Sequence, residues 1–392
     1  MSDLMFCLNA TLPVFFMMAL GYILHRIGWV SDAFASGMNS FVFKLALPVS
    51  LFTELCDVDV AAVWDGWYIL FCLVVTALSI FIAFLLSFLL KDKSVRGEFV
   101  QGAYRSSASL LGMTYLENMY SSAESGSLMM LGSVPLYNVA AVIVLSLMPG
   151  YLSETADSRG GAGGSGDTEN STVTGNGMTV AGSGDRENGT VTGNGIAAAG
   201  SGDRENGTVS ADGRTIETGG KSAGVAGGRA EGLDGARMKK TLYGILTNPI
   251  IWGIFLGFGW ALLKLPMPQM LDTTLNYIGR CASPMGLLAM GASLDFSALT
   301  KKIKPVIGAS FLKLIGFPLL FMPLAVLAGF RGQELAAALI MTGSASTVAG
   351  YVMAKNMGHE GTVSAGTVAL TTLLASFTLT FWLFVLRIRG YL

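Results

Sequence analysis

Eight stretches of this chain run for about twenty residues almost without a charged side chain, at roughly 5–24, 38–56, 66–90, 127–150, 242–264, 271–294, 303–329 and 364–388. At a rise of about 1.5 Å per residue, a helix of that length crosses the ~30 Å hydrocarbon core of a bilayer. Hydrocarbon offers no water to backbone N–H and C=O groups, so each run is expected to satisfy its own as a helix. Two further stretches, roughly 99–118 and 335–355, are weaker. Arg105, Ser106, Ser107 and Ser109 interrupt the first; Gly343, Ser344, Ser346 and Thr347 interrupt the second. Counted as spans, they make ten and define an all-α polytopic membrane protein.

The charge distribution points the same way. The chain has 392 residues and 13% charged side chains, against about 25% in an average soluble protein. Of its 51 charged residues, 21 lie between positions 151 and 240, which leaves 30 for the other 302 positions. That pattern excludes an ordinary soluble enzyme and a wholly disordered chain. A net charge of −1 supplies no basic field for nucleic acid. Segment 151–240 holds 23 of the 50 glycines and repeats Gly-Ser-Gly-Asp every 18 residues, from Gly164, Gly182 and Gly200. Its apolar residues are too sparse to offset the entropy of ordering, so a disordered linker is expected there. The glycosylation sequons at Asn170, Asn188 and Asn206 come with the repeat. The chain thus divides into a first five-helix membrane region (1–150), a linker (151–240) and a second five-helix membrane region (241–392).

Cys7, Cys56, Cys72 and Cys281 share no metal or redox spacing, and His25 and His359 are the only histidines. No catalytic triad, metal centre or cofactor is expected. Asp3 stands where a signal peptide would carry basic residues, so the first apolar run is expected to remain as a span. Lys and Arg in short loops set orientation. Arg26; Lys91, Lys93 and Arg96; Arg237, Lys239 and Lys240; Lys301, Lys302 and Lys304; and Lys355 fall in alternate loops. Asp57, Asp59, Asp65, Glu117 and Glu124 fall in the others. The rule places the N-terminus outside and the linker in the cytoplasm of a cell-membrane protein, although Arg387 and Arg389 run against it.

One offset relates the two membrane regions. Adding 236 to a position matches Pro13 with Pro249, Gly21 with Gly257, Lys44 with Arg280, Ala46 with Ala282 and Pro48 with Pro284. Spans 1 and 2 therefore resemble spans 6 and 7. Each copy has five spans, an odd number, so the copies enter the membrane in opposite directions. Inverted repeats of this kind are typical of secondary transporters.

In such folds the solute binds near the midplane, where helices are discontinuous. Unwound backbone is tolerated there because it faces a cavity or other protein. The two weak spans hold equivalent places, fourth and ninth. Ser107, Gly112, Thr114, Ser344, Ser346 and Thr347 are expected to line the site, with Gly112, Gly343 and Gly350 as crossover hinges. Half-helix N-termini would turn a positive dipole end toward an anion. Small residues at these places also serve to pack helices closely. Asn138, after Pro135 and Tyr137 in the fifth span, joins the site or bonds helix to helix. Lys44 and Arg280 lie near span starts, where long side chains snorkel to the interface, and Lys313 lies deeper. No Asp or Glu lies mid-span; Glu98 and Glu117 flank the fourth span and Asp295 ends the seventh.

These fixed points also resemble a known family. Val42-Phe43-Lys44-Leu45-Ala46-Leu47-Pro48, Arg105-Ser106, Tyr137-Asn138, Asn248-Pro249, the run from Pro284 to Leu294, and Thr371-Thr372-Leu373-Leu374-Ala375-Ser376 resemble, in order, spans of the auxin efflux carrier family. The resemblance covers everything but the linker. It implies two inverted five-helix repeats, with helices 4 and 9 broken and crossing. It further implies a scaffold of helices 1, 2, 6 and 7, a transport domain of helices 3–5 and 8–10, elevator-like motion, and a small organic anion such as auxin or a malate-like acid as substrate. The chain departs from the family at Ser107, where Asn is common, and at Thr114 and Ala345, where the crossovers commonly carry Pro.

The expected function is a secondary carrier that moves a small organic anion, a carboxylate, through the lipid bilayer. A proton or sodium ion as coupling ion, and a homodimer, stay open. The competing readings are a receptor or scaffold whose linker binds a partner, and a sodium-coupled symporter of related fold. An intramembrane enzyme would need paired acids, a Ser/His pair or a metal at depth, and no such constellation appears.

Overall fold

The structure, a computed structural model, describes residues 2–56, 65–108, 113–120, 124–148, 243 and 246–392. The linker at 151–240 and its sequons lie outside the described residues. Those described contain helices and no strand.

The first region opens with α1 (Ser2–Arg26) and α2 (Asp32–Phe41). Ser31 starts α2 by accepting from the Phe34 N–H at 3.2 Å. α2 runs through a wide π turn at Val42–Ala46 into α3 (Leu47–Cys56), so this span begins earlier than its apolar run. α4 (Gly66–Ser87) starts at Asp65, whose carboxylate accepts from the Trp67 and Tyr68 N–H groups. α5 (Arg96–Tyr104), α6 (Met113–Tyr120) and α7 (Glu124–Leu147) follow.

The second region opens with α8 (Pro249–Leu263), capped by Asn248 with Pro249 in its first turn. Then come α9 (Gln269–Arg280), α10 (Ala282–Ala292), the corner helix α11 (Phe296–Lys301) and α12 (Ile303–Phe311). A second π turn, Leu312–Gly316, leads into α13 (Phe317–Leu327). The chain ends with α14 (Gly332–Gly343), α15 (Val348–Asn356) and α16 (Thr362–Ile388).

Prolines explain the irregular turns. A proline has no N–H for the carbonyl four residues back, and its ring crowds that carbonyl. Each π turn ends two residues before one, Pro48 or Pro318. The Leu314 carbonyl, which Pro318 cannot bond, accepts instead from the Trp382 indole at 3.1 Å. The stretch 271–294, expected as one continuous span, is divided at Cys281, just ahead of Pro284.

Six helical segments are long and apolar enough to cross a membrane: Asp32–Cys56, Gly66–Ser87, Ser125–Leu147, Ile303–Leu327, Gly332–Asn356 and Thr362–Ile388. Thr11–Arg26 and Pro249–Leu263 are shorter apolar helices. Their outer faces carry large exposed apolar side chains, among them Leu73, Phe81, Phe255, Phe377 and Phe384. Several apolar helices of this length make the chain a multi-pass membrane protein, helical throughout its described secondary structure.

Glycines bring the two regions into backbone contact. α1 packs on α10, where a Cβ on Gly21 would collide with the Leu288 carbonyl. α8 packs on α3, where a Cβ on Gly257 would stand 2.8 Å from the Phe52 carbonyl. Gly257 and Phe52 are the counterparts of Gly21 and Leu288 at the 236-residue offset. The contact that the first region makes on the second is thus returned by the second on the first.

Candidate functional site

Two helices break where they meet. α5 ends at Tyr104, and Arg105 is extended (φ −74°, ψ 133°). α14 ends at Gly343; Ser344 and Thr347 are extended, with φ/ψ of −77°/169° and −90°/143°. In the crossing, the Ser107 N–H donates to the Ala345 carbonyl at 3.0 Å. The Ser106 and Ser344 hydroxyls share a hydrogen bond of 2.5 Å. The Ser346 N–H donates to Thr371 Oγ1 at 3.0 Å. These bonds replace part of what helix would supply, as a low-dielectric interior demands. Lys313, fully buried in the second π turn, donates to the Tyr104 and Met341 carbonyls, both at 3.1 Å. Those carbonyls lie in the last turns of α5 and α14, where helical partners run out and the dipole end is negative.

A cavity of about 380 Å³ opens beside the crossing, with Glu54, Arg105, Tyr137, Asn138, Arg280 and Thr347 in its lining. Arg105 is 3% exposed. Its Nη2 donates to Asn138 Oδ1, and its Nη1 donates to the Met353 sulfur at 3.0 Å. The guanidinium carbon lies 5.6 Å from the Tyr137 ring centre. Asn138 is fixed in turn, its Nδ2 donating to the Val134 carbonyl at 2.9 Å. The Arg105 Nε has no partner among the described residues. No ion pair to Arg105 occurs among the described residues either. Glu54, in the same lining, accepts from the Ser50 hydroxyl at 2.8 Å. The N-terminus of α15 also opens here: Thr347 and Ala349 line the cavity, and Thr347 Oγ1 accepts from the Ala349 N–H at 3.4 Å.

The arrangement offers a planar cationic fork, a fixed amide, a second arginine in the lining and a helix N-terminus, beside one carboxylate, that of Glu54. The two arginines, the amide and the helix N-terminus favour a carboxylate or similar anion, against the single charge of Glu54.

The structure distributes the sequence-predicted residues as follows. Asn138 and Thr347 line the cavity. Ser107, Ser344 and Ser346 lie in the crossing itself, bonded as described. Thr114 falls inside α6, and Ala345 stands at the crossing opposite Ser107. Gly112 lies outside the described residues. Gly343 closes α14 beneath Pro318, where a Cβ would stand 2.8 Å from the ring. Gly350 faces Gln101 and Arg105. Sequence reasoning did not place Arg105, Tyr137, Glu54 or Arg280 in the site. Arg105 was visible as a charge inside a weak span, a default functional signal at membrane depth. Lys44 and Arg280 are both exposed. Glu98 does not merely flank the fourth span: it is 1% exposed and accepts from the Gly361 and Ser364 N–H groups at 2.8 and 2.9 Å, capping α16.

A polytopic helical bundle with a polar cavity at the crossing of two broken helices is the architecture of a membrane transporter. The chain belongs to the membrane transport protein family, whose model matches residues 6–383; this is the auxin efflux carrier family that the sequence resembles. Members of this family are transporters. A protein named an uncharacterized transporter, from Methanothermobacter thermautotrophicus, is 24% identical over 166 residues. The match covers 42% of this chain and 53% of that relative, so the chain spans about half the length of the curated relative it matches.

Proposed function

We propose that the protein is a secondary carrier of a small organic anion, a carboxylate, bound in the cavity beside the crossing. The observation that carries this reading is Arg105: a buried guanidinium, oriented by Asn138, with no ion-pair partner among the described residues and with its edge on a cavity. Glu54 in the same lining attracts the guanidinium without an ion-pair contact among the described residues, and a buried charge is expensive unless it is paired directly, which a substrate carboxylate would do. The α15 N-terminus, with Thr347, would hold the same anion, and Arg280, in the same lining, would add a second positive charge. Ser107, Ser344 and Ser346 would keep the crossing open and correctly shaped.

The protein in this reading has ten spans in two inverted repeats, 1–150 and 241–392, joined by a cytoplasmic linker at 151–240, with the N-terminus outside. The reciprocal Gly21–Leu288 and Gly257–Phe52 contacts support it. So do the crossing contacts, in which Ser106 meets Ser344 and Ser107 meets Ala345, each 238 positions on. Residues near a two-fold axis touch their own counterparts. Helices 3–5 and 8–10 would carry the solute past helices 1, 2, 6 and 7 in an elevator-like motion.

Uptake of labelled mono- and dicarboxylates into proteoliposomes tests the proposal. Wild-type protein is expected to show saturable flux, and Asn138→Ala and Arg105→Gln to lose most of it while still inserting. Absence of carboxylate flux in wild type, or wild-type flux in both variants, would overturn it.

A further inference from the structure

A second cavity, of about 490 Å³, lies among α1, α10, α11, α12 and α16 and shares no lining residue with the solute cavity. Its lining is apolar but for one side chain, Tyr22, whose hydroxyl accepts from Arg26 Nε at 3.0 Å. It therefore holds nothing to fix a polar solute.

Its position along the bundle is informative. It follows α1 from Phe15 to Ile23, takes in the end of α10 at Gly291, the first turn of α12 at Ile303 and Val306, and the early turns of α16 from Gly366 to Leu373. All of these lie at one end of the bundle. The α1 stretch rises about 12 Å. One leaflet contributes about 15 Å of the hydrocarbon core. The cavity thus matches the depth of a single leaflet.

Its rim is cationic. Arg26 lies over the Tyr22 ring, 5.3 Å from its centre, and Tyr22 meets Phe296 edge-on at 5.1 Å. Lys301 and Lys304 are exposed on the corner whose Leu299 and Ile303 enter the lining. The nearby charges do not cancel them. Lys302 pairs with Glu360, and Asp295 accepts from the Ser297 N–H and hydroxyl as the cap of α11. Three cations, Arg26, Lys301 and Lys304, against the capped Asp295 and against Asp32, which contacts His25 at 3.0 Å, still leave the rim positive.

We propose that this cavity holds an acyl chain of an anionic phospholipid whose headgroup is bound by Arg26, Lys301 and Lys304. An apolar slot one leaflet deep fits the tail, and a basic rim at membrane level selects the headgroup. The lipid sits between α1 and α10 on one side and α12 and α16 on the other, which are the two helix sets that the elevator reading moves apart. The site itself does not depend on that reading.

The test uses the delipidated full chain with equal amounts of phosphatidylglycerol and phosphatidylcholine, counted by native mass spectrometry. Wild type is expected to retain one phosphatidylglycerol, about 10-fold in preference to phosphatidylcholine. Ala369→Phe, which fills the slot, is expected to retain neither. The rim variant Arg26→Gln/Lys301→Gln/Lys304→Gln changes only exposed residues and is expected to lose the preference. Equal retention of both lipids by wild type, no retained lipid, or an unchanged preference in the rim variant would overturn the proposal. Retention by a folded Ala369→Phe would do the same.

Discussion

Two cations are buried at the crossing, and their surroundings separate their roles. Lys313 faces two carbonyls in the last turns of α5 and α14 and ties those ends together. Arg105 faces a cavity, with Asn138 setting its plane and Nε left over. Lys313→Met would leave the Tyr104 and Met341 carbonyls without that donor, and an unsatisfied buried acceptor costs about 1–3 kcal/mol. A fall of several degrees in melting temperature is expected, read by intrinsic fluorescence in detergent. Arg105→Lys keeps the charge but loses the planar fork. Loss of one charge-assisted hydrogen bond, about 1.5–3 kcal/mol, weakens carboxylate binding by at least about 10-fold in titration calorimetry, with the melting temperature little changed. Equal effects of the two substitutions on stability and binding would contradict this division. Both residues stood out in the sequence as charges at depth. What it lacked was direction: a helical position does not say whether a side chain meets a carbonyl or a cavity until the neighbouring helix is placed.

At the scale of the element, the apolar runs and the interruptions of the two weak ones were legible, and the π turns and the division at Cys281 were not. Hydropathy located the apolar runs, because length and composition are local properties. The π turns at Val42–Ala46 and Leu312–Gly316 and the division at Cys281 leave hydropathy unchanged. Only Pro48, Pro318 and Pro284 announced them. Close helix pairs depend on glycine in a similarly hidden way. Gly257 and Gly259 are two residues apart in α8, yet a Cβ meets the Phe52 carbonyl at 2.8 Å from the first and nothing within 4 Å from the second. Gly257→Ala is therefore expected to destabilise by about 1–3 kcal/mol through overpacking. Gly259→Ala should stabilise by up to about 1 kcal/mol through helix propensity. Opposite shifts in melting temperature check both. The Lys302–Glu360 pair links the start of α12 to the loop before α16. Partial burial works to raise the Glu360 carboxyl, and hydrogen bonds from Lys302 and Thr362 overcome it and hold the carboxyl below its ordinary range. A carboxylate lowered on folding lends stability above its unfolded pKa of about 4.3 and loses it as pH falls through the lower folded value. Wild-type melting temperature should therefore drop more between pH 6 and pH 3.5 than that of Glu360→Gln. Parallel pH profiles would refute the pair's contribution.

At the scale of the whole molecule, the offset of 236 matters because of what it brings together. Gly21 meets Leu288 and Gly257 meets Phe52, so each half supplies the surface against which the other packs. At the crossing Ser106 bonds Ser344 and Ser107 bonds Ala345, so the broken ends of the two halves are tied to each other as well. The cohesion of the described helices is therefore a property of the two halves in contact. The described helices on both sides of the linker form one compact unit. Segment 151–240 has the composition of a tether, and lengthening or shortening a flexible tether changes closure entropy only slowly, by about 0.6 kcal/mol per doubling. Deleting residues 160–235 should thus leave the melting temperature within a few degrees and carboxylate flux within about 2-fold of wild type. Residues 1–150 expressed without 241–392 should instead fail to give a stable, monodisperse protein, because the faces around Gly21 and Phe52 would meet lipid in place of their partners. A deletion variant that inserts and melts normally but carries no solute would assign the linker a part in transport itself. A stable isolated half would show that reciprocal packing is dispensable, and with it the proposed inverted-repeat basis of the carrier.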